Sequence, residues 1–487
     1  MIHQLINMSP SKNKTEVTKE SIRLRKGLTY FGIQYAHWKS NCRLIDSLNG
    51  QTDLDLLIHP ICKEAFANCM KELGCKRLRS PSWGTYQDVE DWICLDEETG
   101  IFLHLHIHFS LVTGIKHVKH LRLPWTEIFF DHLTIDSRSG WPIPIPELEV
   151  IILIIRIYAK MPPLERVKRV KNIPDHMNKE LQSLLQASEV TKIKAICEKL
   201  NLIIPYNFEK MVDDIVHDPN HNAIEKIARH FYNQLGGFYQ KDWYLSVSQS
   251  LIYRVKIKLM GKLNPWVGPF SFKKRVVSGG RIFAFVGSDG SGKSTLSNEI
   301  LNWLSYKIDT QYFYFGKEPF IKCGRRHMFF LDNFIYKEGF VGNILRRSLG
   351  SSFFVLRSKK KANMLKLASN LKKKGSVIVC DRLPQLQVPG INDGTMLHDG
   401  KNSLMSRWEK NQFEKIQTYN IDVVFKLNVS PQVAISRKPG HDQDTIRKKC
   451  QLISMVNFPN AKMIDIDADR PFPEVLLDVQ QIIWKHL

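Results

Sequence analysis

Hydrophobic and polar positions alternate with a period of two in two stretches near the start of the chain. These stretches, TDLDLLIH at 52–59 and IFLHLHIHFSLV at 101–112, predict β-strands. Between them, CKEAFANCMKELG at 62–74 repeats apolar residues every three or four positions, which predicts a helix that ends at a glycine. We therefore predict an α+β domain over residues 21–135, preceded by a polar and flexible tail over residues 1–20.

A mainly helical region is predicted next, over residues 136–245. It opens with the proline-rich GWPIPIPELEV at 140–150 and continues with VIILIIRIYA at 150–159. That apolar run is about half as long as a membrane span and contains Arg156, so we predict a buried helix and no transmembrane segment.

The last part of the chain has the pattern of an α/β domain. Basic and apolar residues are mixed over 246–280, which we predict to be a linker. From residue 281 onward the pattern is strand, glycine-rich turn, helix, strand, helix. This order predicts a parallel sheet flanked by helices over 281–487.

Composition adds a strong positive charge to this picture. The chain has 70 Lys and Arg against 48 Asp and Glu, a formal net charge of +22. Such a balance favours phosphate-rich partners, namely nucleotides, nucleic acid or an anionic membrane. For the basic linker, peripheral contact with an anionic membrane and nucleic-acid binding are both open, beside a simpler role as a connector that packs on its own domains.

The cysteines suggest a reducing compartment. All nine are scattered without a CxxC pair, which predicts reduced thiols, and not disulfides or a zinc site, in a cytoplasmic protein.

A phosphate-binding loop is predicted at 287–295, between the strand RIFAFV and a helix. Glycine at three of its positions lets the backbone point its N–H groups at phosphates, because no Cβ is in the way. Lys293 is expected to neutralise the β/γ-phosphates, and the Ser294 hydroxyl is expected to bind Mg²⁺. We predict ATP or GTP binding by Gly287, Ser288, Asp289, Gly290, Ser291, Gly292, Lys293, Ser294 and Thr295.

A carboxylate is expected beside this loop. The apolar segment GSVIVCD at 375–381 predicts a buried strand that ends in Asp381, where an acid near the metal is expected. Arg382 follows directly.

Residues 281–487 resemble the thymidylate kinase branch of the nucleoside-monophosphate kinases. The resemblance rests on FVGSDGSGKST at 285–295, on the Asp-Arg pair at 381–382, and on NIDVVFKLNVSPQVAISRK at 420–438. It implies transfer of the γ-phosphate of ATP to a phosphorylated or hydroxylated acceptor. The catalytic residues it implies are Lys293, Asp381, Arg382 and the lid arginines Arg437 and Arg447.

Two features leave the identity of the acceptor and the role of the lid residues undecided. The chain has Val286 and Leu383 where thymidylate kinases have a glutamate and an aromatic residue, so a nucleoside monophosphate and a sugar or glycan are both candidate acceptors. The basic residues at 437–449, two of them the lid arginines, are alternatively a solvated surface.

Asp53 and Asp55 are the candidate metal ligands of the first domain. They are two positions apart on a predicted strand, so both carboxylates lie on one face and are able to share Mg²⁺. The segment AHWKSNCRLIDSLNGQTDLDLLIH at 36–59 resembles the nucleotidyltransferase superfamily, which implies nucleotidyl transfer with Lys39 and Ser40 facing phosphate. The strand expected to carry that superfamily's third acid has histidines instead.

His104, His106 and His108 lie on one face of that strand. Alternating positions on a strand can bring side chains within reach of one metal ion. A polar sheet face under a helical lid is the simpler interpretation of this row.

The whole arrangement resembles bacterial proteins labelled thymidylate kinase-like, often encoded among surface-polysaccharide genes. Three hypotheses follow. The chain is a phosphotransferase, a nucleotide-gated module that binds nucleic acid or a membrane with little catalysis, or an enzyme in which both halves are active.

Overall fold

In this computed structural model the chain forms two compact units, Met1–Phe272 and Lys273–Leu487. The structure describes residues 17–161, 173–217, 221–267, 271–316, 340–388, 394–395, 397 and 404–487. The predicted tail falls mostly outside these residues, and its last two positions are already in the first turn of a helix, which Thr18 caps by accepting from the Ser21 amide.

The first unit is built on a mixed sheet. Its strands are β1, Tyr35–His37; β2, Leu54–Ile58; β3, Lys76–Arg79; β4, Val89–Leu95; and β5, Phe102–His108. These five are ordered β1-β2-β5-β4-β3, with β2 and β5 parallel and the other neighbours antiparallel. The two strands predicted from alternation, β2 and β5, are thereby confirmed and lie side by side.

Two small hairpins and four α-helices accompany this sheet. The hairpin strands are β6, Leu111–Thr113; β7, Leu121–Leu123; β8, Leu133–Ile135; and β9, Pro142–Pro144. The helices are α1, Lys19–Tyr30; α2, Leu44–Leu48; and α3, Lys63–Glu72, with α4, Thr126–Asp131, between the hairpin strands β7 and β8.

The period of two divides the sheet into an apolar and a polar face. Leu54 and Leu56 of β2, with Leu105 and Ile107 of β5, share one core with apolar residues of α1 and α3. Because successive side chains point to opposite faces, the aspartates and histidines between these positions share the other face.

A helical layer follows in the same unit. Its helices are α5, Pro146–Lys160; α6, Asp175–Gln186; α7, Val190–Lys199; α8, Phe208–His217; α9, His221–Asn233; and α10, Trp243–Val267. The apolar run 150–159 is buried within α5, as predicted. Much of the predicted linker is the helix α10, which exposes apolar residues such as Ile252 and Val255.

One expectation about the cysteines is wrong. Cys75 and Cys94 are joined by a disulfide, with their Cα atoms 4.5 Å apart. The antiparallel pairing of β3 with β4 aligns Lys76 with Ile93, so the two cysteines face each other at the start of this ladder. Their separation of 19 residues gave no indication of this, because the pairing is set by strand register.

The second unit is an α/β domain with a fully parallel central sheet, as its pattern predicts. The strands of this sheet are β11, Ile282–Gly287; β12, Thr310–Tyr314; β13, Val377–Asp381; β14, Val423–Asn428; and β15, Lys462–Asp467, and the short strand β10, Arg275–Val276, precedes them in the chain without joining this sheet. Its helices are α11, Lys293–Ser305; α12, Phe340–Lys373; α13, Leu404–Gln417; α14, Pro431–Arg437; α15, Gln443–Ile453; and α16, Phe472–His486.

The strand order of this sheet fixes where a ligand is expected. The order is β12-β13-β11-β14-β15, and all neighbours are parallel. From β11 the chain continues to β12 and β13 on one side of β11, and it then crosses to β14 and β15 on the other side. Open sheets of this kind bind ligands beyond the carboxyl ends of the strands at such a reversal. The loop 287–295 begins at that point.

The described part of the chain contains no helix with both the length and the apolar character needed to cross a bilayer. Membrane contact through the basic segment, the assignment of the first unit as nucleotidyltransferase-like and the cytoplasmic location stay predictions.

Candidate functional site

The loop 287–295 has the backbone shape that its glycines predict. Gly290 and Gly292 have φ of +83° and +82°, in the left-handed region that glycine adopts without steric cost. A Cβ on Gly290 would lie 2.6 Å from the Ala434 carbonyl oxygen of α14, whereas a Cβ on Gly292 would meet no described atom within 4 Å. Gly290 is therefore required by packing as well as by conformation.

Lys293 is buried at the start of α11, against the loop. Its ammonium donates to the Ser288 carbonyl at 2.9 Å and lies 3.8 Å from Asp289 Oδ1. Burial, followed by the nearby positive charge of Arg382, lowers the pKa of Lys293 to about 8. An anion placed in this loop would favour the charged lysine and offset that burial.

Asp381 and Arg382 lie beside the loop. Asp381 is the last residue of β13 and pairs in register with Phe285 of β11. It is 1% exposed; its Oδ2 accepts from the Tyr312 hydroxyl at 3.1 Å, while its Oδ1 has no hydrogen-bond partner among the described residues. An unsatisfied buried carboxylate oxygen next to a phosphate loop is suited to a metal ligand. The Arg382 amide donates to the Phe285 carbonyl at 3.0 Å.

Helix α15 adds a cation, Lys449, that the sequence analysis included only as one of the basic residues at 437–449. Lys449 Nζ lies 2.6 Å from Asp289 Oδ2, and the Cys450 thiol donates to the Ser288 hydroxyl at 3.3 Å. Burial opposes ionisation of Asp289, but the Lys449 hydrogen bond and the charge of Lys293 hold its pKa below the usual value. A helical spacing from the buried Ile446 places positions 449 and 450 on the inner face, a pattern that was available in the sequence.

The two lid arginines have other described contacts. Arg437, at the end of α14, donates to the Ala468 carbonyl at 2.9 Å. Arg447 lies on the exposed side of α15, with Nη1 3.3 Å from Asp444 Oδ1. Ser294 and Thr295 are exposed in the first turn of α11. The structure thus brings Lys293, Asp289, Asp381 and Lys449 together at the loop. The two lid arginines, in contrast, contact Ala468 and Asp444.

The first unit contains a second candidate site, a cavity of about 470 Å³ between its sheet and its helices. Acidic and basic side chains both line it, and among the described residues the basic ones are the more numerous. The charged lining residues are Lys39, Arg43, Asp53, Asp55, Arg156, Lys160, Lys179 and Glu180.

The aspartates and histidines of the polar sheet face are in contact, as their alternation predicts. Asp55 Oδ1 lies 2.6 Å from Lys39 Nζ and 2.8 Å from His106 Nδ1. Asp53 Oδ1 lies 2.9 Å from His104 Nδ1. The two carboxylates therefore have different partners, since each faces a different histidine.

Burial and charge set the protonation of this cluster. Burial works against ionisation of Asp55, but Lys39 and the hydrogen bonds from His106 and His108 hold its pKa well below the usual value. Burial lowers the pKa of His106 to about 4 and that of His108 well below its ordinary value. At neutral pH the cluster thus pairs an ionised carboxylate with two neutral imidazoles.

A further acid lies behind the histidines. Asp91, on β4, is opposite His106, and its Oδ1 is 3.3 Å from His104 Nε2. The Ser80 hydroxyl donates to its other oxygen at 2.7 Å. The sequence predicted the third acid on β5, where histidines stand instead; the structure has Asp91 on the neighbouring strand β4, in contact with the row through His104.

Comparison with known proteins gives partial matches. No protein-family model matches the chain. The chain is 27% identical over 228 residues to the uncharacterized ATP-binding protein YghR of Escherichia coli K12, covering 42% of this chain and 86% of that protein. It is 26% identical over 220 residues to the uncharacterized ATP-binding protein YghS of the same strain, covering 40% and 89%.

Two solved structures of a deoxyadenosine kinase from M. mycoides also align with the chain. The structure with bound dATP is 19% identical, with a TM-score of 0.25, and covers 42% of this chain and 98% of that one. The structure with bound dCTP is 16% identical, with a TM-score of 0.26, and covers 42% and 100%. Scores this low support no conclusion about the fold.

Proposed function

We propose that the chain is an ATP-dependent phosphotransferase. The unit Lys273–Leu487 binds ATP at the loop 287–295 and moves its γ-phosphate to a nucleoside monophosphate or to a sugar-containing acceptor. The observation that carries the proposal is the convergence of a buried lysine and a buried carboxylate on one glycine-rich loop at the reversal of a parallel sheet.

The relatives support the nucleotide part of this proposal. YghR and YghS both carry the description ATP-binding in their names. Binding would place the phosphates against the loop amides and the N-terminus of α11, where the helix dipole favours an anion. Lys293 would then exchange its bond to the Ser288 carbonyl for a phosphate oxygen.

The residues present fit a magnesium ion. Asp381 offers a buried oxygen without a described hydrogen-bond partner, and Ser294 is the first-turn hydroxyl that such loops use. When bound, Mg²⁺ neutralises charge on the β- and γ-phosphates. The protein's part is to hold the phosphates in line and to keep its cations at the transferring group.

Two residues beside the loop are suited to the acceptor side. Arg382 follows Asp381 directly at the carboxyl end of the sheet, and Lys449 reaches the loop from α15. Both provide positive charge for the phosphoryl group during transfer. A phosphate oxygen and a sugar hydroxyl can both accept hydrogen bonds from these cations, the phosphate more strongly, so the acceptor class covers both.

An acceptor screen with γ-labelled ATP and Mg²⁺ tests the proposal. The panel contains nucleoside monophosphates, sugar phosphates and short glycans, assayed with wild type, Lys293→Ala and the matched surface variant Lys448→Ala. We expect label in one acceptor class with wild type and Lys448→Ala, and none with Lys293→Ala. ATP binding without transfer to any acceptor would instead favour a nucleotide-gated binding module.

A further inference from the structure

We propose that Asp55, His106 and His108 form a binding site for a divalent transition metal in the first unit. This site is separate from the phosphate loop and does not depend on the proposed phosphotransfer. The three side chains come from β2 and β5, adjacent parallel strands of the central sheet, in the register that pairs Asp55 with His106.

The positions of the donor atoms carry the proposal. Asp55 Oδ1, His106 Nδ1 and His108 Nε2 form a triangle with edges of 2.8, 3.4 and 3.8 Å. Bonds of about 2.0–2.1 Å in a tetrahedral centre place its ligand atoms roughly 3.3 Å apart. The triangle therefore has the size of one face of a tetrahedral site, and a fourth position remains for an exogenous ligand.

The ligand types select the class of metal. Two neutral imidazoles and one carboxylate suit Zn²⁺, Co²⁺, Mn²⁺ or Fe²⁺, whereas Mg²⁺ prefers an all-oxygen shell. The predicted pair of Asp53 and Asp55 would be an oxygen site for Mg²⁺, but Asp53 faces His104 while Asp55 faces His106 and His108. The geometry thus favours a mixed nitrogen and oxygen site.

Lys39 contacts the same donor atoms. Its ammonium lies 2.6 Å from Asp55 Oδ1 and 3.5 Å from His108 Nε2, so a protein cation already occupies the neighbourhood that a metal ion would need. A bound metal would therefore displace the ammonium from Asp55. Lys39 competes with the metal, and its removal is expected to strengthen metal binding.

The cavity next to Asp55 indicates the chemistry of the fourth ligand. Arg156 lines it, is 4% exposed, and has an Nε with no hydrogen-bond partner among the described residues. Arg43 and Lys179 add positive charge to the same walls. An anionic oxygen ligand, such as a phosphoryl group, would satisfy both the metal and these cations.

Metal titration of the full chain tests the site. After removal of metals with a chelator, Co²⁺ is added and its visible absorption is followed, and Zn²⁺, Mn²⁺ and Mg²⁺ are then used as competitors. We expect one Co²⁺ with a tetrahedral spectrum, displaced by Zn²⁺ and not by Mg²⁺. Added inorganic phosphate should change the spectrum in wild type and leave it unchanged in Arg156→Met.

Variants separate this site from adventitious binding. Asp55→Asn, His106→Ala and His108→Ala should each weaken binding by more than about tenfold, the low end of the loss caused by removing even an outer partner of a ligand. His117→Ala, outside the cluster, should bind like wild type, and Lys39→Met should bind more tightly. If a histidine variant fails to fold, tighter Co²⁺ binding by Lys39→Met still supports the site, and weaker binding still contradicts it.

The proposal is overturned if wild type binds no Co²⁺, if Mg²⁺ displaces it as well as Zn²⁺ does, or if Lys39→Met weakens binding. It is also overturned if the three ligand variants bind Co²⁺ as tightly as His117→Ala does.

Discussion

Charged side chains around the loop 287–295 contact each other. Asp289 lies between Lys293 and Lys449, and the loop carbonyl of Ser288 accepts from Lys293. This arrangement keeps two buried or half-buried cations close to one loop, at the cost of their hydration. A bound triphosphate would replace the carboxylate and the carbonyl as the partner of these cations.

Lys449 is predicted to affect nucleotide binding. Lys449→Ala leaves Asp289 without its closest cation, so an uncompensated carboxylate would face the phosphates. We expect the KM for ATP to rise about tenfold, or roughly 1.4 kcal/mol, with Lys448→Ala as the control. Adding Asp289→Asn to Lys449→Ala should recover part of the loss; no recovery would contradict the charge argument.

Glu149 is predicted to make the first unit less stable as pH rises. Burial raises its pKa from the usual 4.5 to about 7, so between these values the folded chain holds a proton that the unfolded chain loses. Stability from this group is thus greatest below pH 4.5 and falls as pH rises through 7, by about 3 kcal/mol in all.

Glu149→Gln keeps the shape and removes the ionisation. We expect the variant to be more stable than wild type at pH 8 and no more stable at pH 4.5, with the exposed Glu198→Gln as control. Hydrogen exchange of peptides from α5, followed in urea, measures the change in the free energy of unfolding of the first unit. A gain of equal size at both pH values would show that ionisation is not the cause.

At the scale of elements, the strand–loop–helix unit at 282–305 places the glycines where the backbone most needs them. Gly290 and Gly292 share a left-handed conformation, which costs other residues about 1–2 kcal/mol. They differ in their surroundings, because only Gly290 packs against α14.

The two glycines therefore provide a matched test. Gly290→Ala should destabilise the second unit more than Gly292→Ala, since it adds a clash with the Ala434 carbonyl to the same backbone strain. Thermal unfolding of both variants measures the difference. Equal losses would mean that the contact with α14 is unimportant.

Local patterns predicted the elements, and contacts between distant elements were the part that they missed. β2, β5, β11 and β13 follow from alternating or continuous apolar runs, and the loop follows from its glycines. The disulfide Cys75–Cys94, the acid Asp91 behind His104, and the ion pair of Lys449 with Asp289 each depend on strand register or on helix rotation. Such features are fixed by tertiary packing, which spacing alone does not encode.

At the scale of the whole molecule, the two units contain independent candidate chemistries. The phosphate loop and its cations are entirely within Lys273–Leu487, and the histidine–aspartate cluster is entirely within Met1–Phe272. Among the described residues, each site also has more basic than acidic groups near it, in agreement with the net charge of +22. Lys293→Ala should therefore leave Co²⁺ binding unchanged, and His106→Ala should leave phosphotransfer unchanged.

The central claim, transfer of the γ-phosphate at the loop 287–295, is tested most directly by comparing γ-labelled with α-labelled ATP in parallel reactions. We predict that the acceptor gains label only from γ-labelled ATP, and that Lys293→Ala abolishes this gain. Acceptor labelled by α-labelled ATP, in wild type and Lys293→Ala alike, would contradict the account and would move the chemistry to nucleotidyl transfer in the first unit.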